Sequence, residues 1–162
     1  MGNVYSAASC SGRPDAVKAV LRSAEAGDVR ELSLLLHADA CHVLHCSVFG
    51  GNTAWHKAAK AGRADVLEAL SAAVLRQYEA SSKDVTSEGG VRAASVLKLG
   101  GSAADAVRRL INKPNTKGTT PLILACAGGH TDAAAWLIRH GARHTSRAGV
   151  GWTAHARDLA CW

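Results

Sequence analysis

The chain of 162 residues is predicted to fold as an all-α solenoid built from helix-turn-helix units, and three observations carry that prediction. The first is the stretch Thr120 to Ala142, TPLILACAGGHTDAAAWLIRHGA. Thr-Pro opens a helix there, because Pro lacks only an N–H that a first turn leaves unpaired anyway. The apolar run Pro121 to Ala127 is broken by Gly128-Gly129, and Thr131 with Asp132 offers a fresh N-cap for Ala133 to Ile138. Gly141 then stops the second helix. The second observation is a period: Thr120 and Thr153 stand 33 residues apart. The third is an upstream phrase of the same kind, Gly51 to Gly62, GNTAWHKAAKAG, whose Thr53 precedes Thr120 by 67 residues. That distance is one repeat plus a stretch of about another repeat's length.

The T-P-L…A…G-H…L-I…G-A pattern of Thr120 to Ala142, at this spacing, resembles an ankyrin repeat. The resemblance implies an ankyrin-repeat solenoid of three repeats plus a partial fourth. It also implies an action: such stacks bind proteins through their hairpin tips and the inner face of their first helices, and they have no built-in reaction centre.

Composition narrows the class. The chain suits one domain, and with a single Phe and two Tyr its 48% hydrophobic content leaves Ala, Leu and Val to fill closely stacked helices. Nineteen Lys plus Arg against thirteen Asp plus Glu give a formal charge of +6, which favours anionic surfaces in general. The charge is scattered and no helix-turn-helix or RRM-like phrase accompanies it, so no nucleic-acid partner is expected. Five cysteines, an odd count with no C-x-x-C pair, suit a reducing compartment better than a disulfide framework. No apolar run approaches the roughly 20 residues of a membrane span, and the N-terminus has no signal-peptide core.

In chain order, Met1-Gly2-Asn3-Val4-Tyr5-Ser6 fits the pattern for N-myristoylation at Gly2, against the plainer reading of a disordered start. One myristoyl chain holds a membrane only marginally, so a second signal is needed. Cys10 is either an acyl acceptor or an inert surface thiol, and Arg13, Lys18 and Arg22 would add attraction to an anionic leaflet. Residues 1–14 are read as a flexible lipidation arm. Pro14-Asp15 opens a helix with the apolar stripe Ala16, Val17, Val20, Leu21 and Ala24, Gly27 ends it, and Asp28 caps Val29 to Leu36. Gly27 and Gly62 are 35 residues apart, so this pair reads as a degenerate first repeat that caps the stack. Cys41, His42, His45 and Cys46 invite a zinc reading, but four ligands in six residues hardly surround one tetrahedral ion, and no metal or other cofactor is expected.

In repeat two, Ala54 and Trp55 replace the usual Pro-Leu, and His56 is expected to bond the neighbouring hairpin and Thr53, as the resemblance implies, rather than to do chemistry. Asp65 caps a helix through Val66, Leu67, Leu70, Val74 and Leu75 that runs on to about Tyr78, so residues 15–80 hold repeats one and two. The pattern is lost over 81–101, rich in Ser, Gly and Lys: either a flexible surface insertion or a decayed repeat whose second helix is Ser102 to Leu110. That helix is expected to pair Asp105 with Arg109. Lys113 to Gly118 then makes the hairpin finger before repeat three, and 102–162 holds this helix, repeat three and the partial repeat four.

A narrower likeness rests on Met1-Gly2-Asn3 and on Phe49-Gly50-Gly51 before repeat two. These resemble the plant ankyrin-repeat RING-type ubiquitin ligases that carry a myristoylation signal and associate with receptor-like kinases, over roughly Met1 to Ala80 and Asn112 to Trp152. Ubiquitin transfer in such ligases uses a RING with zinc-binding Cys-x-x-Cys pairs, and this sequence has no such pair. Three readings follow. The leading one is a non-catalytic, monomeric ankyrin adaptor, cytoplasmic and peripheral at the plasma membrane, whose protein partner is a receptor-like kinase if the likeness holds. The second is the partner-recognition fragment of an ankyrin–RING ligase, and the third a metal- or nucleic-acid-binding protein. The partner-binding residues, carried over by position, are Asn52, Lys57, Lys60, Lys117, Thr119 and Trp152. The three lysines suit an acidic or phosphorylated surface or are simply a solvated face, and Trp152 either anchors a partner or packs along the stack.

Overall fold

The computed structural model describes residues 14–38, 50–83 and 102–143. These residues form seven helices: α1 (Pro14–Ala26), α2 (Val29–Ala38), α3 (Ala54–Lys60), α4 (Ala64–Lys83), α5 (Ala103–Ile111), α6 (Pro121–Ala127) and α7 (Thr131–Arg139). The lipidation arm, the Cys41–Cys46 segment, most of the 81–101 insertion and the partial fourth repeat lie outside the described residues.

Helix boundaries follow local chemistry. Asp28 accepts the Glu31 N–H at 3.0 Å and caps α2 as its sequence predicts. Ser102 and Asp105 form a reciprocal capping box on α5. At α7 the expectation is off by one residue: the cap is His130 rather than Thr131, its backbone lying outside the helical region at φ −87° and ψ 84° and its side chain making no cap bond. Four helices end alike, with a six-residue loop closed by a backbone bond: Asp28 N–H to Ser23, Arg63 to Ala58, His130 to Ala125 and Ala142 to Leu137, each at 2.9–3.0 Å. This geometry needs a left-handed residue just past the helix. Gly62, at φ +70°, supplies it between α3 and α4.

The helices pack in two layers. Each pair α1–α2, α3–α4 and α6–α7 is a hairpin; α1, α3 and α6 stack in sequence as the inner layer, and α2, α4 and α7 as the outer one. The core runs along the seam, with Val20, Leu32, Trp55, Leu67, Leu70, Ile111, Leu122 and Leu137 almost fully buried. Trp55, in place of the usual leucine, is wholly enclosed, with its ring 6.1 Å from that of Trp136. Such a large ring fits because alanines make up much of the buried core, among them Ala54, Ala58, Ala59, Ala125 and Ala133.

The 81–101 stretch begins as helix. α4 runs to Lys83, five residues past the expected end, and α5 packs back against it. Burial on α4 ends at Val74; Leu75, expected to be apolar core, is 39% exposed. The part of α4 past Val74 therefore extends beyond the two-layer stack, while α5 packs back against α4 with Val107 and Ile111 buried.

Candidate docking surface

Two histidines and one asparagine weld the repeats together and shape the surface between them. The imidazole of His56 is buried between units: Nδ1 is 2.8 Å from the Thr53 hydroxyl and 3.2 Å from the Thr53 backbone N–H, while Nε2 is 3.0 Å from the Thr119 carbonyl oxygen. A carbonyl only accepts, so Nε2 carries the hydrogen and Nδ1 accepts from Thr53. The expected structural role is seen. Desolvation by burial pushes the His56 pKa down to about 4, against the opposing pull of the Thr119 carbonyl, and Lys113 adds a smaller push in the same direction. A second histidine reaches back the other way, with His130 Nε2 2.9 Å from the Lys60 carbonyl oxygen and its ring over Gly62.

The hairpin fingers are joined laterally. Asn115 donates its amide to the Asn52 side-chain oxygen at 2.9 Å, and its own oxygen accepts the N–H groups of Lys117 and Thr119, both at 2.9 Å. The Thr116 N–H donates to Gly50 across the fingers at 3.2 Å. This lattice settles where the sequence-predicted residues stand. Asn52 and Thr119 are half-buried members of it. Lys117 is exposed at the tip, and Lys60 is exposed at the end of α3. Lys57 is half-buried and its ammonium is 2.9 Å from the Glu25 carboxylate on α1, so its charge is largely matched within the inner layer. Trp152, Gly2 and Cys10 lie outside the described residues.

Sequence reasoning missed Asn115 and Glu25. Asn115 had a readable signal, since an Asn followed at i+2 and i+4 by N–H groups inside a Lys-Gly turn is a side-chain-capped loop. Glu25 had none, because an inner-layer contact 32 residues away carries no local signature. Asp105 is 3.8 Å from Arg108 at i, i+3, rather than from the expected Arg109, while Arg109 contributes to the positive field that helps hold the Asp105 carboxyl below its ordinary range, behind the Ser102 hydrogen bonds.

Chemistry at these positions is spent on structure. The Cys126 thiol is buried, and burial pushes its pKa up, away from thiolate reactivity. Among the described residues no three His, Cys, Asp or Glu side chains group to hold a metal ion. No helix among them is long and apolar enough to cross a membrane.

Residues 93–148 match the family model described as ankyrin repeats, three copies. No curated protein matches the chain. A chain in the crystal structure of the yeast ribosomal protein Rps3 in complex with its chaperone Yar1 superposes with a TM-score of 0.66 at 20% sequence identity, covering 92% of this chain and 85% of that one. At that identity the shared property is the fold. The architecture is an ankyrin-repeat solenoid, and the repeat geometry extends upstream of the matched segment into α1–α4.

Proposed function

We propose that this chain is a non-catalytic protein-docking module whose finger tips and inner helical face engage an acidic or phosphorylated partner surface. The observation that carries this reading is the Asn115 lattice. It holds adjacent fingers in one geometry with Lys117 exposed at the tip, while Lys60 is exposed on the inner layer at the far end of α3. A rigid scaffold presenting unmatched charge lowers the ordering cost of binding and steers an anionic partner. Asn52 and Thr119 shape the surface, Lys57 sets the charge balance with Glu25, and Trp152 is a candidate anchor. Charge reversal at Lys60 and Lys117 together should abolish capture of the partner while leaving far-UV circular dichroism and the thermal midpoint unchanged. Equal capture by the Lys60→Glu, Lys117→Glu chain would remove this face from the docking surface.

The module is further proposed to be tethered at the plasma membrane through myristate on Gly2, with Cys10 or the basic residues of the arm as second signal; the support is the Met1 to Ser6 pattern. Intact mass and membrane fractionation beside a Gly2→Ala chain test it. A myristoyl mass on the Gly2 chain, with the membrane pool lost in the variant, is expected. A receptor-like kinase as partner, and the alternative of a partner-recognition part of a ubiquitin ligase, rest on Met1 to Asn3 and Phe49 to Gly51 alone. Both stand or fall with that fractionation and with the identity of the protein captured.

A further inference from the structure

Among the described residues the α1–α2 hairpin has a neighbouring hairpin on one side only, and register shows what its open side is built for. Counted from the glycine after each inner helix (Gly27, Gly62 and Gly129), Glu31 corresponds to Val66 and Ala133, Leu34 to Ala69 and Trp136, and Arg22 to Lys57. In the later units these positions look back at the preceding one. Val66 and Ala133 are fully buried, the Trp136 ring lies 6.1 Å from that of Trp55, and the Lys57 ammonium is 2.9 Å from the Glu25 carboxylate. In α1–α2 the same positions are open. Leu34 is 71% exposed, Glu31 and Arg22 are exposed, and Arg22 has no partner among the described residues. Between the two helices this face opens into a cleft of about 300 Å³ lined by Ala19, Arg22, Ser23, Ala26, Asp28 and Glu31.

The face is polar where a stacked one is apolar. Ser23 and Glu31 stand where the next unit has Ala58 and Val66, and the Ser23 hydroxyl is 2.8 Å from the Ala19 carbonyl oxygen and 3.1 Å from a Glu31 carboxylate oxygen. A solvated end of the stack accounts for those two residues. It does not account for Leu34, larger than Ala69 and far more exposed, or for Arg22, which lacks the carboxylate that Lys57 finds in the unit before it. Both signs of charge and an apolar side chain on one surface make it self-complementary. That is the requirement of a two-fold interface, where residue i of one copy meets j of the other and j meets i.

We infer that the α1–α2 face docks the α1–α2 face of a second copy of this chain about a two-fold axis. Arg22 of each copy stands opposite the Asp28 and Glu31 carboxylates of the other, and the two Leu34 side chains are covered. What the stack accepts at this register in its own interior is a helical hairpin, and α1–α2 of a second copy is one. The surface is small. α1 is about 20 Å long and two helices abreast are about 20 Å wide, so each copy covers about 400 Å². That is half the usual share of a stable interface, so the dimer is reversible, with a Kd on the order of 100 μM, and the chain is a monomer at dilution.

The test is sedimentation equilibrium of the full chain from about 10 μM to about 1 mM, over which the mass should rise from one chain toward two. Leu34→Glu, at an exposed position, should weaken association at least about tenfold with the thermal midpoint unchanged. Arg22→Glu and Glu31→Lys should each abolish it, because each sets like charges against one another across the axis. An equimolar mixture of those two variants should dimerise again, since their faces then carry opposite charge. A monomer mass throughout overturns the inference. So does a dimer that survives Leu34→Glu and both charge variants, or a mixture that stays monomeric. A monomer in which removal of residues 1–13 raises amide exchange across α2 also overturns it, and assigns the cover of Leu34 to the chain's own N-terminal arm.

Discussion

His56 sits where one repeat hands over to the next, and both its nitrogens are committed to backbone and hydroxyl partners from Thr53 and Thr119. Protonating Nδ1 would place a charge in a buried site and lose its acceptor. Because the folded pKa lies near 4 and the unfolded value near 6.5, the unfolded chain binds more protons between those limits. Stability contributed by neutral His56 is fully present above pH 6.5 and falls as pH drops toward 4, by on the order of 3 kcal/mol, with no further loss below. Urea midpoints from pH 7.5 to 4 should show this slope, and a His56→Gln chain should be less stable at pH 7 but visibly flatter in pH. An identical slope would assign the dependence to other groups. Gly62 is constrained twice over, by φ +70° and by the His130 ring, which a Cβ would meet at 2.5 Å. Gly62→Ala is therefore expected to cost about 2 kcal/mol or more, read as a lowered urea midpoint with unchanged slope.

At the scale of elements, the fingers owe their shape to side-chain bonds rather than to a strand ladder. Asn115→Ala removes three hydrogen bonds at once and should destabilise the chain by about 2 kcal/mol. Its more telling signature is local: amide exchange at Lys117 and Thr119 should rise far more than exchange in α6. The α4–α5 pair packs on the stack along only part of its length. Its stack-side residues Val66, Leu70, Val74, Val107 and Ile111 are buried, but beyond Val74 the described side chains of α4 are at most half-buried. Replacing Leu75 by Ala should accordingly change stability by much less than replacing Leu70, for which a loss of about 2–5 kcal/mol is expected.

For the whole molecule, stability is close to a sum over neighbours, since among the described residues the main helix contacts run within a hairpin or between successive ones, with α4 meeting α2, α3, α5 and α7. Trp55 lies at the middle of this arrangement, fully buried in α3 between α1 and α6. Trp55→Ala should cost about 3–5 kcal/mol and uncouple the two ends, so that α1–α2 and α6–α7 exchange their amides independently. Retention of one cooperative transition at nearly unchanged midpoint would mean that the outer layer, not the inner one, carries the coupling.

Much of this was legible along the chain. Helix starts at Pro14, Asp28 and Thr120, stops at Gly27, Gly62 and Gly141 and the finger over Lys113 to Gly118 are local or periodic matters, set by φ preference, capping and the 33-residue spacing, while the structural role of His56 was implied by the ankyrin resemblance. The exposed positions of Lys60 and Lys117 follow from the same spacing. What tertiary structure alone decided is which charges remain unmatched and which groups converge. Lys57 meets Glu25 from 32 residues away, Leu75 and Ile138 end up at the surface although their helical stripe points them inward, and Asn112 brings Arg143 to Arg108 across 35 positions of chain. Such pairings depend on how repeats stack, and stacking is a property of the filled core: a sequence carries its turns residue by residue, but its surface charge pattern exists only once distant units have been placed side by side.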